Sequence, residues 1–147
     1  MRAVIQRVDS AIIDINDNNE VSRKEIGKGL VLFLGIYATD TDQNLKLLAE
    51  RCRGVRIFPD NEGKMNLSVN DIGGEVLIVS NFTLCANTTH GKRPSFIDAA
   101  RPEIAKPMYE EFIRLFSAHT PVKTGVFGSE MKINLINNGP ITLIVEG

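Results

Sequence analysis

Met131-Lys132-Ile133-Asn134-Leu135-Ile136-Asn137-Asn138-Gly139-Pro140-Ile141-Thr142-Leu143-Ile144-Val145 decides how this chain folds. Two short runs, Met131 to Ile136 and Ile141 to Val145, are β-branched and roughly alternating, which predicts strands. Pro140 has no N–H to give a sheet ladder, so it belongs where two strands meet or at a sheet edge. Gly139 has no Cβ, which lets another molecule approach the backbone closely. X-Pro bonds are the common sites of cis peptides. Two readings stay open at this point: a turn between two strands, or a main-chain binding element.

Upstream, Val122 to Thr124 is a further strand candidate. Pro102 suits the first position of a helix whose apolar face is Ile104, Met108, Phe112, Leu115 and Phe116. Pro107 interrupts that pattern and predicts a kink or a later start. Val76 to Val79 sits in a strand, Glu75 to Ser80, that ends in Ser80-Asn81-Phe82-Thr83-Leu84. Asn87 to Pro94 follows as a polar loop. Val55 to Phe58 reads as a strand, followed by the turn Pro59 to Gly63, with Gly73-Gly74 a second turn. A helix starts near Asp40-Thr41-Asp42 and buries Leu45, Leu48, Ala49 and Cys52. Leu30 to Tyr37 is almost continuously apolar, as expected of a central strand covered on both faces. Asp17-Asn18-Asn19 predicts a hairpin turn before the returning strand Glu20 to Ile26. Arg2 to Val8 and Ala11 to Ile15 read as two successive strands. With seven or eight strands and two helices, the expected fold is α/β: a layered, mainly antiparallel sheet system in one domain, residues 1–147.

Composition narrows the function classes. The 147 residues are 43% hydrophobic and 24% charged, ordinary for a water-soluble domain with a substantial core. A net charge of −1 gives no global basic field of the kind that marks many nucleic-acid binders, although a local patch is compatible with it. Two cysteines, Cys52 and Cys85, are too few for a disulfide scaffold and lack metal-type spacing. The N-terminal stretch is too polar for a secretory signal, and no apolar run approaches the ~20 residues of a membrane helix. The expectation is a cytoplasmic protein with no membrane association.

Side-chain chemistry is sparse. Gly-rich phosphate loops, a HExxH helix and paired-Cys metal sites are all missing from the sequence, so no cofactor or metal is expected. His119 reads as a solvated residue at a helix end and His90 as a solvated loop residue beside Gly91, Lys92 and Arg93. No nucleophile elbow accompanies them. What remains is two strand ends rich in small polar groups, Ser80 to Thr83 and Asn137 to Thr142. Backbone donors at such ends can stabilise an oxyanion without a protein nucleophile.

Those two segments carry a resemblance. Ser80-Asn81-Phe82-Thr83-Leu84 is similar to the Ser-Gln-Phe-Thr motif of the D-aminoacyl-tRNA deacylases. Asn138-Gly139-Pro140-Ile141-Thr142 is similar to their Asn-x-Gly-Pro-Val-Thr motif, allowing for spacing by one. Met1 to Val8, Gly63 to Ser68 and Gly91 to Phe96 match as well, so the likeness spans the chain. Asn81 in place of Gln is the clearest departure, and Ile141 for Val is a mild one. The resemblance implies a homodimer with a sheet-sheet-helix fold and a cis Gly139-Pro140 bond reaching the partner's pocket to exclude L-amino acids. It implies that Arg7 holds the Asn138-Gly139-Pro140 segment and that Ser80, Asn81, Phe82 and Thr83 line the catalytic pocket. It also implies catalysis assisted by the terminal ribose 2′-OH of the tRNA.

The function expected is therefore hydrolysis of D-aminoacyl-tRNA, and of glycyl-tRNA charged on the wrong tRNA. Lys92 and Arg93, with Lys123, are candidates for phosphate contacts. Two competing readings are a non-catalytic tRNA- or peptide-binding module and a serine hydrolase using Ser80 with His90.

Overall fold

The computed structural model describes residues 1–147, and its pairing is organised by β1 (Arg2–Asp17). On one side β1 pairs antiparallel with β8 (Glu130–Glu146) from Arg2↔Glu146 to Asn16↔Glu130. On its other side it pairs first with β3 (Gly29–Gly35), from Arg2↔Gly35 to Val8↔Gly29. It then pairs with β2 (Glu20–Ile26), from Ala11↔Ile26 to Asp17↔Glu20. β3 continues the sheet in parallel to β6 (Glu75–Ser80), and β6 in parallel to β7 (Val122–Thr124). Between these strands lie helix α1 (Asp42–Gly54), the small hairpin of β4 (Phe58–Pro59) and β5 (Met65–Leu67), and helix α2 (Pro102–Ser117).

Layering follows from which face each strand buries. Ala3, Ile5, Leu30, Leu32, Leu34, Val76 and Ile78 share one core with Leu45, Leu48 and Cys52 of α1 and Phe112 and Phe116 of α2. The opposite faces of β3 and β6, through Val31, Leu77 and Val79, pack on Ala11, Ile13, Ile15 and Ile26. The first half of β1 thus lies in the central layer, and its second half, with β2, folds back over that layer's far face. The register shifts between Gln6 and Ser10 are where the strand turns from one layer into the other. The result is a helix layer, a central sheet and a second sheet, in agreement with the α/β layering expected.

Several expectations are corrected in detail. Arg2 to Val8 and Ala11 to Ile15 are one strand, because β8 pairs along the full length of both. Likewise the two C-terminal runs form one strand: Gly139-Pro140 is a bulge opposite Arg7, not a turn. Val55 to Phe58 shortens to Phe58–Pro59, paired with Met65–Leu67. α2 starts at Pro102 and runs unbroken through Pro107. That proline lies near the helix start on the exposed side, where the carbonyl it leaves unbonded faces solvent. The Asn18 and Asn19 turn holds, with φ of 50° and 68°, and Thr41 caps α1 with a reciprocal Asn44 contact.

Candidate active site

Strand β6 delivers Ser80 to the carboxyl end of the central sheet, and the chain then turns sharply. Asn81, extended at φ −146° and ψ 91°, caps a 3-10 helix, Phe82–Cys85. Its side-chain Oδ1 accepts from the Thr83 N–H at 3.2 Å and from the Thr83 hydroxyl. A short Asx-type cap is what Asn, one methylene shorter than Gln, is built to make. Gly35, at the end of β3, makes room for the turn: a Cβ there would stand 2.8 Å from the Leu84 Cβ.

The cap accounts for most of the backbone donors. Asn81 N–H bonds the Leu34 carbonyl at 2.8 Å, and Leu84 N–H bonds the Asn81 carbonyl at 3.3 Å. Thr83 N–H is held by Asn81. The Phe82 N–H has no acceptor in the protein. Beside it opens a cavity of about 580 Å³ lined by Ser80, Asn81 and Phe82, and mainly by apolar groups: Leu34, Ile36, Phe96, Ala100, Ala105, Phe127 and Met131. Phe82 is 60% exposed and meets Phe96 edge-on, ring centroids 5.1 Å apart, at the mouth. Phe96 comes from the loop pinned by Asn87 and Ser95, and Phe127 from the segment after β7. Reading the sequence left out Phe96, Phe127 and Met131 as pocket walls. A single aromatic in a loop has no periodicity; the glycines flanking Val126-Phe127 were the one available cue.

The second segment is held differently. The Gly139-Pro140 peptide is cis. Arg7 Nε donates to the Asn138 carbonyl at 3.3 Å, Nη2 to the Asn138 Oδ1 at 2.9 Å, and Nη1 to the Ile57 carbonyl at 2.5 Å. The Asn138 amide then donates to Asp9 at 2.6 Å. Asn137, read from the sequence as part of the polar strand end but given no role of its own, braces the bulge from inside: its Nδ2 donates to the Arg7 carbonyl at 2.9 Å and the Ile141 carbonyl at 3.0 Å. Gly139 has φ +119°, and a Cβ there would lie 2.8 Å from Arg7 Nη2 and from Ile141 Cγ1. Only glycine fits that backbone.

Within one chain the two segments do not meet. β8 is an edge strand, separated from β6 by β1 and β3, and Ser80 lies four residues along β6 from Val76, the position level with Arg7. Strand spacings put them roughly 20 Å apart. His90 is exposed, and no hydrogen bond links it to Ser80. Lys92, Arg93 and Lys123 are exposed, the first two in the Asn87–Ser95 loop. No three His, Cys, Asp or Glu side chains gather in a metal-binding arrangement, and no helix is long and apolar enough to cross a membrane.

A layered sheet whose polar features are a capped strand end and a backbone bulge offers main-chain groups at both candidate segments. Residues 4–146 match the family model described as D-Tyr-tRNA(Tyr) deacylase, and the chain belongs to that family. A protein of Chloroflexus aurantiacus named D-aminoacyl-tRNA deacylase is 51% identical over 99% of this chain and 90% of its own. One of Desulfatibacillum aliphaticivorans with the same name is 47% identical over 99% of both. Among solved structures, one titled c-Myc DNA Unwinding Element Binding Protein superposes with a TM-score of 0.91 at 34% identity, covering 100% of this chain and 99% of that one. A probable eukaryotic D-amino acid tRNA deacylase shares the fold, with a TM-score of 0.82 at 17% identity over 99% and 98% of the two chains.

Proposed function

We infer that this protein is a hydrolase that cleaves the ester of D-aminoacyl-tRNA to free amino acid and tRNA. The observation that carries the chemistry is the Phe82 N–H, unclaimed by the protein at the mouth of the cavity. Water adds to the ester carbonyl, the developing oxyanion takes the Phe82 N–H bond, and the ester C–O bond breaks as the ribose oxygen leaves with a proton. The family resemblance implies the neighbouring ribose 2′-OH as a relay, taking a proton from the attacking water as it passes its own to the leaving ribose oxygen, and the lack of an imidazole at Ser80 fits that role. The aromatic walls suit a flat ring such as the terminal base.

Asn138, Gly139 and Pro140, oriented by Arg7, are assigned to substrate selection in the pocket of a second copy. Two features support a homodimer: the roughly 20 Å gap between the segments within one chain, and the free edge of β8, where Ile136 and Ile144 are 59% and 67% exposed. A filter that refuses an L side chain passes glycine, which has none, so mischarged glycyl-tRNA belongs to the substrate range. Lys92 and Arg93 are assigned to tRNA phosphates, and the place of work is the cytoplasm.

The test is hydrolysis of matched D- and L-aminoacyl-tRNA, with a third substrate bearing a 2′-deoxy terminal ribose. Turnover of the D ester alone, lost on the 2′-deoxy substrate, is the expected result. Turnover that survives on the 2′-deoxy substrate assigns the chemistry to Ser80. A second reading, a nucleic-acid-binding module without catalysis, draws on Asn81 and on the DNA-binding name of the 34% identical structure. Binding of the D ester without turnover would establish it.

A further inference from the structure

Tyr109 is buried at 3% exposure in α2, and it does not line the cavity. Its hydroxyl donates to the Ile78 carbonyl at 2.9 Å. That carbonyl already accepts the Gly125 N–H at 3.0 Å, as part of the ladder between β6 and the chain leaving β7. Along this edge of β6 the Val76 N–H bonds the Pro121 carbonyl at 2.9 Å, and Ile78 pairs with Thr124. The next donor on the same edge is the Ser80 N–H. β7 ends at Thr124, so no strand carbonyl is there to receive it.

The Ile78 carbonyl and the Ser80 N–H face the same side of β6, so the hydroxyl held on the first stands beside the second. Burial pushes the Tyr109 phenol up, and the Ser80 N–H pulls it back, as a donor facing the same oxygen would. A half-buried N–H left without an acceptor carries a desolvation cost, which an oxygen beside it would relieve. Two residues further on lies the Phe82 N–H. The Tyr109 ring also packs on Phe127, ring centroids 6.1 Å apart, so one side chain touches both the strand end and the opposite wall of the cavity.

We propose that Tyr109 is a positioning residue for the hydrolysis: its hydroxyl extends the β6 ladder by one acceptor and thereby fixes where the Phe82 N–H points. The proposal rests on the deacylase reading, and its effect is on the reacting carbonyl, not on substrate capture. The experiment is steady-state deacylation by wild type and Tyr109→Phe, with amide spectra of both. Tyr109→Phe keeps the ring against Phe127 and removes only the hydroxyl. A kcat lower by on the order of tenfold with KM within about twofold is expected, because small displacements of a catalytic donor act on the chemical step. The amide resonances of Ser80 and Phe82 shift while those of Ala3 to Val8 stay. A wild-type kcat, or a loss carried wholly by KM, overturns the proposal.

Wild-type turnover tests the deacylase reading separately; should wild type be inactive, the Ser80 and Phe82 shifts decide the hydroxyl's role, and unshifted resonances overturn it. Should Tyr109→Phe not fold, the wild-type hydroxyl proton answers. Slow exchange with solvent and a cross-peak to the Ser80 amide proton support the bridge, and fast exchange without the cross-peak rejects it.

Discussion

The two polar segments of this molecule are built on opposite principles. Ser80 to Thr83 is anchored from within: a buried strand leads into it, Leu34 and Gly35 lie beneath it, and Asn81 closes it locally. Asn137 to Pro140 sits on an edge strand and is anchored by Arg7, Asp9 and the Asn137 amide, with Gly139 and Pro140 themselves exposed. A site held by core packing tolerates loss of a surface group. A site held by a few charge-assisted bonds does not, because each bond is a large share of what orients it.

The largest break falls on the edge segment. Gly139→Ala introduces a Cβ against Arg7 and Ile141 at a φ that L residues avoid. D-aminoacyl-tRNA turnover should fall by about two orders of magnitude, since displacing a positioning element by about 1 Å has that effect. Single-turnover rates, with circular dichroism as a check on folding, measure it. Arg7→Ala comes next: it frees the Asn138 carbonyl and amide and leaves the Ile57 carbonyl unbonded. A stability loss of about 2–3 kcal/mol in urea is expected from losing several bonds to one charged group, with a falling D-to-L hydrolysis ratio.

Thr83→Ala sharpens the contrast from the other side. It removes one hydroxyl that Asn81 accepts, but the Asn81 cap on the Thr83 N–H survives. Turnover should stay within about threefold of wild type, because no nucleophile is lost. An effect of Thr83→Ala larger than that of Gly139→Ala would reverse the comparison. The smallest effect concerns Cys52, whose thiol burial pushes up to about 12, and Cys85, also raised by burial. A raised pKa keeps the thiol protonated, so neither should react with iodoacetamide at pH 8 in the folded protein, whereas both should after denaturation. Mass spectrometry counts the adducts.

How much of this was legible beforehand depends on the range of the interaction. Asn18 and Asn19 announced a hairpin because two positive φ angles demand such residues, and Leu30 to Leu34 announced a central strand by its unbroken apolar run. The Ser80 and Gly139 segments were legible as polar interruptions of apolar strands. The continuity of β1 and of β8 was not, because each changes face at its bulge and breaks its own alternation. Asn81 read as the end of a strand, since a cap two residues long leaves no periodic trace. Tyr109 lies on an apolar helix face like any core residue, and only its bond to the Ile78 carbonyl, thirty-one positions away, sets it apart.

The pairing of β1 with β8 also governs the order of assembly. Residues 2 to 16 carry the strand that pairs directly with β2, β3 and β8, and one whole side of it is filled by residues 130 to 146. On a ribosome that side stays open until residues 130 to 146 have emerged. The ladder between β1 and β3 can zip early, across a short loop, whereas closure of the sheet joins segments more than a hundred residues apart and carries the slow kinetics of non-local contacts. Until then β1 is itself an unpaired edge, open to mispairing with its neighbours.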